Sequence, residues 1–334
     1  MPSARPLRDA VVVVTGASSG IGRATALAFA RRGARLALAA RRALPLEEAA
    51  RACRDLSGTG AVAVPTDVTD ETAVQALADA ALEEFGRIDV WVNNVGTGVF
   101  GAFQDAPLAL HRRTIETNLF GALHGTGAAL PVFLRQGRGV LINMASMGAW
   151  SPTPFAASYA ASKFGIRGLT ASLRAELAGR RGIQVCAIFP SLVDTPGLSH
   201  GANVSGRRLD PSGPFLAPET VAEAIVSLAR RPRRELAVGW PSTAARIGYA
   251  LSPTLTERMA GAAMRGFLRR ARPAPRTEGA VMHPVPEGTG ISGGFRARHD
   301  RRVGSAGGVR ALAIALAGAA LLVGAEATAR RLGA

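Results

Sequence analysis

The stretch that decides the fold is Val-Val-Val-Val-Thr-Gly-Ala-Ser-Ser-Gly-Ile-Gly, residues 11–22. Four consecutive valines predict a buried strand, and a helical pattern begins at Ile21. Gly16, Gly20 and Gly22 allow a tight turn between strand and helix and let a ligand approach the backbone closely. Because the first N–H groups of the helix point out of this turn, the turn is suited to bind a diphosphate. The alternative is a turn that only joins a strand to a helix, since a glycine-rich turn alone is weak evidence.

Short apolar runs and longer helical patterns alternate along the chain. The predicted strands are Val11–Val14, Leu36–Ala39, Ala61–Val64, Val90–Val92, Val140–Ile142, Val185–Phe189 and Glu235–Val238. The predicted helices are Ile21–Arg32, Leu46–Leu56, Glu71–Phe85, Thr114–Arg135, Tyr159–Arg180 and Pro218–Arg230. Apolar strands that alternate strictly with helices are typical of a parallel sheet covered on both faces. The sequence therefore predicts an α/β fold with a Rossmann-type doubly wound parallel sheet, in a single main domain over residues 1–240.

The pattern changes beyond residue 240. We expect a C-terminal helical extension over residues 241–270, a linker rich in Pro, Gly and Arg over residues 271–308, and an apolar helix over residues 309–334. As a helix, the uncharged run Ala311–Ala325 would span roughly 22 Å, less than the roughly 30 Å of a bilayer's hydrocarbon core. Three interpretations stay open for this run: a helix packed on protein, a membrane-associated anchor, or disorder.

Composition and charge exclude several classes of protein. The two cysteines, Cys53 and Cys186, are too few for a disulfide framework, and the five histidines form no close-spaced pair, so we expect no metal site. The first residues contain no apolar signal segment, and we expect a cytoplasmic protein. Residues 241–334 hold 14 arginines and 5 acids, so this tail carries +9 of the formal charge of +16. A membrane surface therefore stays open as a partner of the tail. The arginine run at residues 230–234 lacks a reading helix and stacking aromatics, so no nucleic acid is expected.

The end of the second predicted strand bears on the choice of cofactor. A dinucleotide site that prefers NAD usually places a carboxylate there, to bind the ribose hydroxyls. Here the sequence is Leu38-Ala39-Ala40-Arg41-Arg42, without an acid. Arg41, together with Arg23, can pair with a 2′-phosphate, which favours NADP. Solvated charges at the edge of a helix are the alternative for Arg23 and Arg42.

Tyr159 and Lys163 form a candidate acid/base pair. Lys163 is the only lysine in a chain whose Lys and Arg number 40, so this position requires an ammonium rather than any positive charge. Residues four apart on a helix lie on one face, so the phenol and the ammonium can share a site. A nearby cation favours the phenolate, and we expect Lys163 to lower the pKa of Tyr159.

Together these motifs resemble the short-chain dehydrogenase/reductase family, from about Val11 to Trp240. Residues 15–22 resemble the family's cofactor turn, Asp67-Val68 its adenine-contacting pair, and Asn93-Asn94-Val95-Gly96 its Asn-Asn-Ala-Gly segment, with Val for Ala. Pro190-Ser191 stands where the family usually has Pro-Gly. The cofactor-binding residues that the resemblance implies are Gly16, Ser18, Ser19, Gly20, Ile21, Gly22, Arg41, Asp67, Val68, Asn94, Gly96, Tyr159, Lys163, Pro190 and Thr195.

The same resemblance assigns catalytic roles to Asn118, Ser146, Tyr159 and Lys163. Ser146 would hold a substrate carbonyl, Tyr159 would act as general acid/base, and Lys163 would bind the nicotinamide ribose. Asn118 would hold a water that leads protons to Lys163. Asp67 could instead cap the helix that begins near Asp70.

The predicted function is an NADP(H)-dependent oxidoreductase that transfers a hydride between the nicotinamide and a ketone or secondary alcohol. The segment 191–217 is the expected substrate lid, and its apolar residues favour a lipophilic substrate. Trp150 and Phe155 are candidates for an aromatic wall or for core. The resemblance also implies a homo-oligomer built on the Thr114 and Tyr159 helices. The alternative function is a catalytically silent NADP-binding sensor or scaffold with a basic tail that binds a membrane or partner.

Overall fold

A computed structural model describes residues 5–210 and 214–298 of the chain. The strands are β1 (Val11–Thr15), β2 (Arg35–Ala40), β3 (Ala61–Pro65), β4 (Val90–Asn93), β5 (Val99–Phe100), β6 (Gly139–Met144), β7 (Ile183–Pro190), β8 (Ala202–Asn203) and β9 (Glu235–Val238). The helices are α1 (Gly20–Ala30), α2 (Ala43–Ser57), α3 (Glu71–Phe85), α4 (Leu108–Ile115), α5 (Gly121–Gln136), α6 (Ala157–Glu176), α7 (Gly197–His200), α8 (Pro218–Arg230), α9 (Trp240–Leu251) and α10 (Pro253–Arg270).

Seven of these strands form one sheet in the order β3-β2-β1-β4-β6-β7-β9. Every neighbouring pair in it is parallel. The predicted doubly wound parallel sheet is therefore confirmed. The direction of winding reverses between β1 and β4, and ligands of such sheets bind outside the carboxyl ends of the strands at this reversal.

The valine run of β1 shows why the strand is apolar throughout. Successive side chains of a strand point to opposite faces of the sheet. Val12 and Val14 pack in the cluster that contains residues of α1, α2 and α8, whereas Val13 packs with residues of α3 and α5. All three valines are fully buried. Helices on both faces thus explain why these positions are apolar, and the polar residue of β1, Thr15, stands at the end of the strand.

Two predicted helices are interrupted in the structure. The stretch predicted as one helix from Thr114 to Arg135 consists of α4, a π-helical turn at Glu116–Phe120, and α5. The helical extension predicted over residues 241–270 consists of two helices, α9 and α10, which meet at Ser252. Pro253 follows this break, as expected because proline has no N–H and fits the first turn of a new helix.

Residues 271–298 differ from the predicted linker, because they lie against the main domain. Val281 is 1% exposed in a cluster with Val99 and Ala202, and Phe295 is 6% exposed. Most of the hydrogen bonds in this segment come from its backbone, so no side-chain periodicity could reveal them. The predicted apolar helix over 309–334 lies outside the described residues.

Within residues 5–210 and 214–298, no helix has both the length and the apolar character needed to cross a membrane.

Two glycines of α5 test the packing of this helix on β4. A Cβ at Gly125 would collide with Asn93 Oδ1 and lie 2.7 Å from Trp91 Nε1, whereas a Cβ at Gly127 would meet nothing within 4 Å. We expect Gly125→Ala to lower the free energy of unfolding by about 1–3 kcal/mol through overpacking. Gly127→Ala should raise it by about 0.5–1 kcal/mol, since alanine is the better helix former. Urea unfolding measures both, and equal effects of the two substitutions would contradict the packing.

Candidate active site

The candidate site is built around the junction of β1 and β4. Thr15 ends β1, and its hydroxyl donates to the Val92 carbonyl at 3.3 Å. Asn94 follows β4, and its side-chain amide donates to the Thr15 carbonyl at 2.9 Å, while its backbone N–H donates to Thr15 Oγ1 at 3.0 Å. These bonds tie the loops after both strands together at the reversal of the sheet.

The glycine turn forms a cradle that fits a diphosphate. Gly16 has φ +70°, a left-handed conformation that glycine adopts without strain. A Cβ at Gly22 would collide with the Gly16 carbonyl oxygen, so the helix can start this close to the turn only without a side chain. The first turn of α1 contains no acid, and its N–H groups have no partner within the helix. Ser18 is buried at 6% exposure beside them. Backbone donors without a competing carboxylate are what a phosphate requires.

Two arginines after β2 reach across to the C-terminal segment. Arg41 Nη2 donates to the Ala280 carbonyl at 2.8 Å. Arg42 Nη1 donates to the carbonyls of Val285 and Glu287, each at 2.9 Å. Burial lowers the pKa of both guanidinium groups. The alternative of solvated helix-edge charge does not describe Arg42, because its guanidinium is engaged by these carbonyls.

Asp67 follows β3 and belongs to a small polar network. Its carboxylate accepts from Arg113 Nη2 at 2.6 Å and from the Thr69 hydroxyl at 2.8 Å. Burial alone would raise the pKa of Asp67, but the bonds from Thr69 and the charge of Arg113 outweigh it, and the pKa is lowered. The capping alternative is wrong for Asp67, because the side chain that accepts from the first N–H groups of α3 is that of Asp70.

Tyr159 and Ser146 meet beside Gly148. Ser146 lies just beyond the end of β6, and its Oγ accepts from the Gly148 N–H at 3.1 Å. A Cβ at Gly148 would lie 3.5 Å from Tyr159 Cε1 and 3.6 Å from Ser146 Oγ, so both side chains border the same point. The Ser146 hydroxyl is close enough to Tyr159 to act on the pKa of its phenol, which it lowers. A carbonyl oxygen placed between them would receive two donors.

Lys163 and Asn118 meet beside Gly96. A Cβ at Gly96 would lie 3.3 Å from Lys163 Nζ and 3.7 Å from Asn118 Oδ1, so the absence of a side chain there makes room for both. Lys163 is 3% exposed, and its Nζ donates to the Met144 carbonyl at 2.9 Å.

Asn118 lies in the π-helical turn between α4 and α5, a feature frequent at functional sites. Its Oδ1 accepts from the Thr97 N–H at 2.8 Å, and its Nδ2 donates to Ser162 Oγ at 2.9 Å. Ser162 in turn donates to the Tyr159 carbonyl at 2.7 Å. Sequence reasoning missed Ser162 as the link between Asn118 and α6, although it stands beside Lys163 in the motif.

The pKa values correct one expectation. Burial raises the pKa of Tyr159, and the hydrogen bond from Ser146 opposes this only in part, so the pKa is raised rather than lowered. Lys163 Nζ lies 5.8 Å from the centre of the phenol ring and is bonded to Met144. Burial lowers the pKa of Lys163 itself to about 8. Desolvation of both groups therefore outweighs the attraction that we expected between ammonium and phenolate.

The loop after β7 closes one side of the cradle. Pro190 ends β7, and a Cβ at Gly20 would lie 3.3 Å from Thr195 Cβ, which places Thr195 over the glycine turn. Phe215 is buried at 9% exposure and stacks on Phe295, and Leu216 packs against the main core. These two apolar residues of the expected lid serve the fold rather than face a substrate.

The two candidate wall aromatics differ in their surroundings. Trp150 is 3% exposed and stacks on Phe189 with ring centroids 4.0 Å apart, so it belongs to the core. Phe155 is partly exposed and has φ +64°, a strained conformation for a residue other than glycine. Such strain is found most often near functional sites.

A parallel sheet with a glycine cradle, a buried lysine and a tyrosine–serine pair at its reversal defines a dinucleotide-dependent class of enzyme. The family model described as short chain dehydrogenase matches residues 10–202. The uncharacterized oxidoreductase YxnA of Bacillus subtilis is 35% identical over 281 residues, which cover 83% of this chain and 79% of that protein.

Solved structures agree with this match. An alcohol dehydrogenase of the archaeon Thermococcus sibiricus, complexed with 5-hydroxy-NADP, is 30% identical with a TM-score of 0.61, covering 69% of this chain and 95% of its own. A 3-ketoacyl-(acyl-carrier-protein) reductase of Brucella melitensis, complexed with NADH, is 32% identical with a TM-score of 0.61, covering 70% and 97%. The chain belongs to the short-chain dehydrogenase/reductase family of oxidoreductases.

The buried ammonium of Lys163 predicts a pH-dependent stability. Its pKa falls from 10.5 to about 8 on folding, so the unfolded chain binds more protons between these values and wild-type stability rises with pH in that window. Lys163→Met lacks this titration. We expect its stability relative to wild type to fall by about 2–3 kcal/mol between pH 7 and pH 10, measured by urea unfolding. Parallel pH profiles of the two proteins would show that the ammonium is not desolvated.

Proposed function

We propose that this protein is an NADP(H)-dependent reductase or dehydrogenase that interconverts a ketone and a secondary alcohol of a lipophilic substrate. The observation that carries the proposal is the meeting of Ser146 and Tyr159 beside Gly148, one helical turn from a buried Lys163. Two hydroxyl donors converge on one point, and the chain's only lysine lies close behind them.

The roles of these residues follow from their positions. When bound, NADPH supplies the hydride that reaches the carbonyl carbon. Ser146 donates a hydrogen bond to the carbonyl oxygen, and Tyr159 gives its phenolic proton to this oxygen as negative charge develops on it. The raised pKa of Tyr159 keeps the phenol protonated at neutral pH, as reduction requires. Lys163 holds a positive charge behind the phenol, and Asn118 fixes the start of α6 through Ser162.

The cofactor preference rests on the residues after β2. No carboxylate stands at Arg41-Arg42 to bind ribose hydroxyls, and two guanidinium groups lie there instead. Guanidinium groups bind phosphates bidentately, so this position favours a 2′-phosphate. The carboxylate of Asp67 is paired with Arg113 and Thr69, whereas Arg41 and Arg42 donate to neutral backbone carbonyls that a phosphate can replace.

The substrate class rests on apolar side chains near the carboxyl edge of the sheet. Leu192, after β7, and Leu198, in α7, stay partly exposed, and Phe155, four residues before Tyr159, lies beside Phe100 with ring centroids 6.3 Å apart. An apolar border with two convergent hydroxyl donors favours a molecule with one polar carbonyl on an apolar body.

The two tyrosines of the chain offer a matched test of the catalytic role. Tyr159→Phe removes the proton donor, and we expect kcat for NADPH-dependent ketone reduction to fall by about 10²–10⁴-fold. Tyr249→Phe removes an exposed hydroxyl on α9 that donates to Glu257, and its kcat should equal that of wild type. Steady-state NADPH oxidation with a panel of apolar ketones measures both. Equal rates for Tyr159→Phe and wild type would reject the role of the phenol.

The same panel addresses the alternative of a silent sensor or scaffold. A sensor binds NADPH and reduces no ketone, whereas the proposed enzyme does both.

Homo-oligomerisation stays a prediction from the family resemblance. Association of residues 309–334 with a membrane also stays a prediction, because these residues lie outside the part of the chain that the structure describes.

The arginine after β2 predicts the cofactor preference. Arg41→Ala removes a charge-assisted partner of a 2′-phosphate, so the Kd for NADPH should rise by roughly 10–100-fold relative to the Kd for NADH. Arg258→Ala removes an exposed arginine of α10 and should leave the ratio of the two Kd values unchanged. Fluorescence titration with each cofactor measures this ratio. A parallel change for both cofactors in Arg41→Ala would contradict the phosphate role.

A further inference from the structure

Residues 277–295, here named the strap, run along the whole cofactor edge of the sheet. The strap begins beside β8, where Thr277 and Asn203 exchange two backbone hydrogen bonds of 2.9 and 2.8 Å. It then passes Arg41 and Arg42 after β2, crosses the glycine turn, and ends at the loop after β7. This is the path from the adenosine side of a dinucleotide site to its nicotinamide side.

The two ends of the strap are held firmly. At the first end, the Ala280 N–H donates to the His200 carbonyl at 2.7 Å, and Val281 is 1% exposed. At the second end, Asp194 accepts from Ser292 Oγ and from the Phe295 N–H, each at 2.7 Å. Asp194 is itself only 3% exposed, so this latch is a buried carboxylate satisfied by the strap.

The middle of the strap is held differently, by groups that the proposed function assigns to phosphates. The Gly20 N–H, at the start of α1, donates to the Gly290 carbonyl at 3.0 Å. Arg23 Nη1 donates to the Thr289 carbonyl at 3.0 Å, and Arg42 donates to the carbonyls of Val285 and Glu287. Neutral backbone carbonyls thus stand where the anionic oxygens of a dinucleotide would bind.

We propose that the strap is an autoinhibitory segment, whose middle part occupies the phosphate-binding donors and must move away before NADP(H) binds. The inference rests on the proposed function, because it takes the cofactor edge as the NADP(H) site. A phosphate oxygen is a stronger acceptor than a carbonyl, so the cofactor can displace the strap. Only the fraction of molecules with an open strap binds directly, and the apparent Kd exceeds the intrinsic Kd in proportion.

The conformation of the strap allows this movement. Gly279, Gly288 and Gly294 have φ +56°, +69° and +74°, so glycines in left-handed conformations stand at both ends and in the middle. His283, Pro286, Glu287 and Gly290 are exposed, whereas Ile291 packs against the main core, so the part of the strap before Ile291 has little apolar contact to lose. Anchored ends with glycines between them are typical of a segment that hinges rather than unfolds.

Two glycine substitutions distinguish a strap that is pushed out of place from one that only gains a methyl group. A Cβ at Gly293 would lie 2.5 Å from the Thr195 carbonyl oxygen, so Gly293→Ala forces the strap away from the loop. A Cβ at Gly290 would meet nothing nearer than 3.7 Å, so Gly290→Ala is the matched control. Ser292→Ala loosens the latch at Asp194 without adding an atom, and Ser227→Ala, an exposed serine of α8, is its control.

The test is NADPH binding to the full chain by fluorescence titration, without substrate. We expect Gly293→Ala and Ser292→Ala to lower the Kd for NADPH by about tenfold, and the two controls to leave it unchanged. An unchanged or higher Kd in both Gly293→Ala and Ser292→Ala would overturn the autoinhibitory role of the strap and leave the proposed function intact. Absence of NADPH binding in every variant would overturn both.

Hydrogen exchange gives a second measurement that does not depend on affinity. The middle of the strap is held through its carbonyls, so the amide that reports on its position is that of Gly293, which donates to the Asp194 carbonyl at 3.2 Å. NADPH should increase exchange at this amide. Increased protection of the Gly293 amide on NADPH addition would show that the strap closes over the cofactor and would overturn the proposal.

Discussion

The hydrogen bonds between Thr15 and Asn94 are the constraint on which the site depends. They join the loops after β1 and β4, the two strands between which the sheet reverses its winding. Because the sheet is parallel, the loops after β2, β6 and β7 emerge at the same edge. This parallel arrangement brings together groups that are far apart in the sequence, namely the glycine turn, the arginines after β2, Ser146 and Thr195.

Burial of Lys163 is the second constraint. An ammonium in a protein interior is costly unless it is hydrogen-bonded, and the Met144 carbonyl supplies its partner. Its pKa of about 8 expresses that cost directly. The other 39 Lys/Arg positions are arginine, whose guanidinium is larger, planar and always charged, whereas an ammonium is a compact donor whose pKa responds to burial. A compact ammonium therefore suits the crowded, desolvated space beside Gly96.

Backbone carbonyls of the C-terminal segment accept hydrogen bonds from the arginines at the candidate cofactor site. Arg23, Arg41 and Arg42 need acceptors, and burial lowers the pKa of the last two, so a bare guanidinium edge would be unfavourable. The carbonyls of residues 280–289 meet this need in the protein itself. The same donors therefore serve both the stability of the extension and the proposed cofactor site, which couples the two.

The sequence by itself determined the sheet, the glycine turn and the identity of the candidate acid/base pair. A continuous apolar run, glycine spacing and a four-residue helical repeat are local properties, so Val11–Gly22 and Tyr159–Lys163 carry them without reference to the rest of the chain. Only the tertiary structure decided the direction of the Tyr159 pKa shift, the burial of Trp150 and Phe215, and the position of residues 277–295. Each of these depends on desolvation or on backbone carbonyls contributed from more than 30 positions away, and neither leaves a periodic pattern in the side chains.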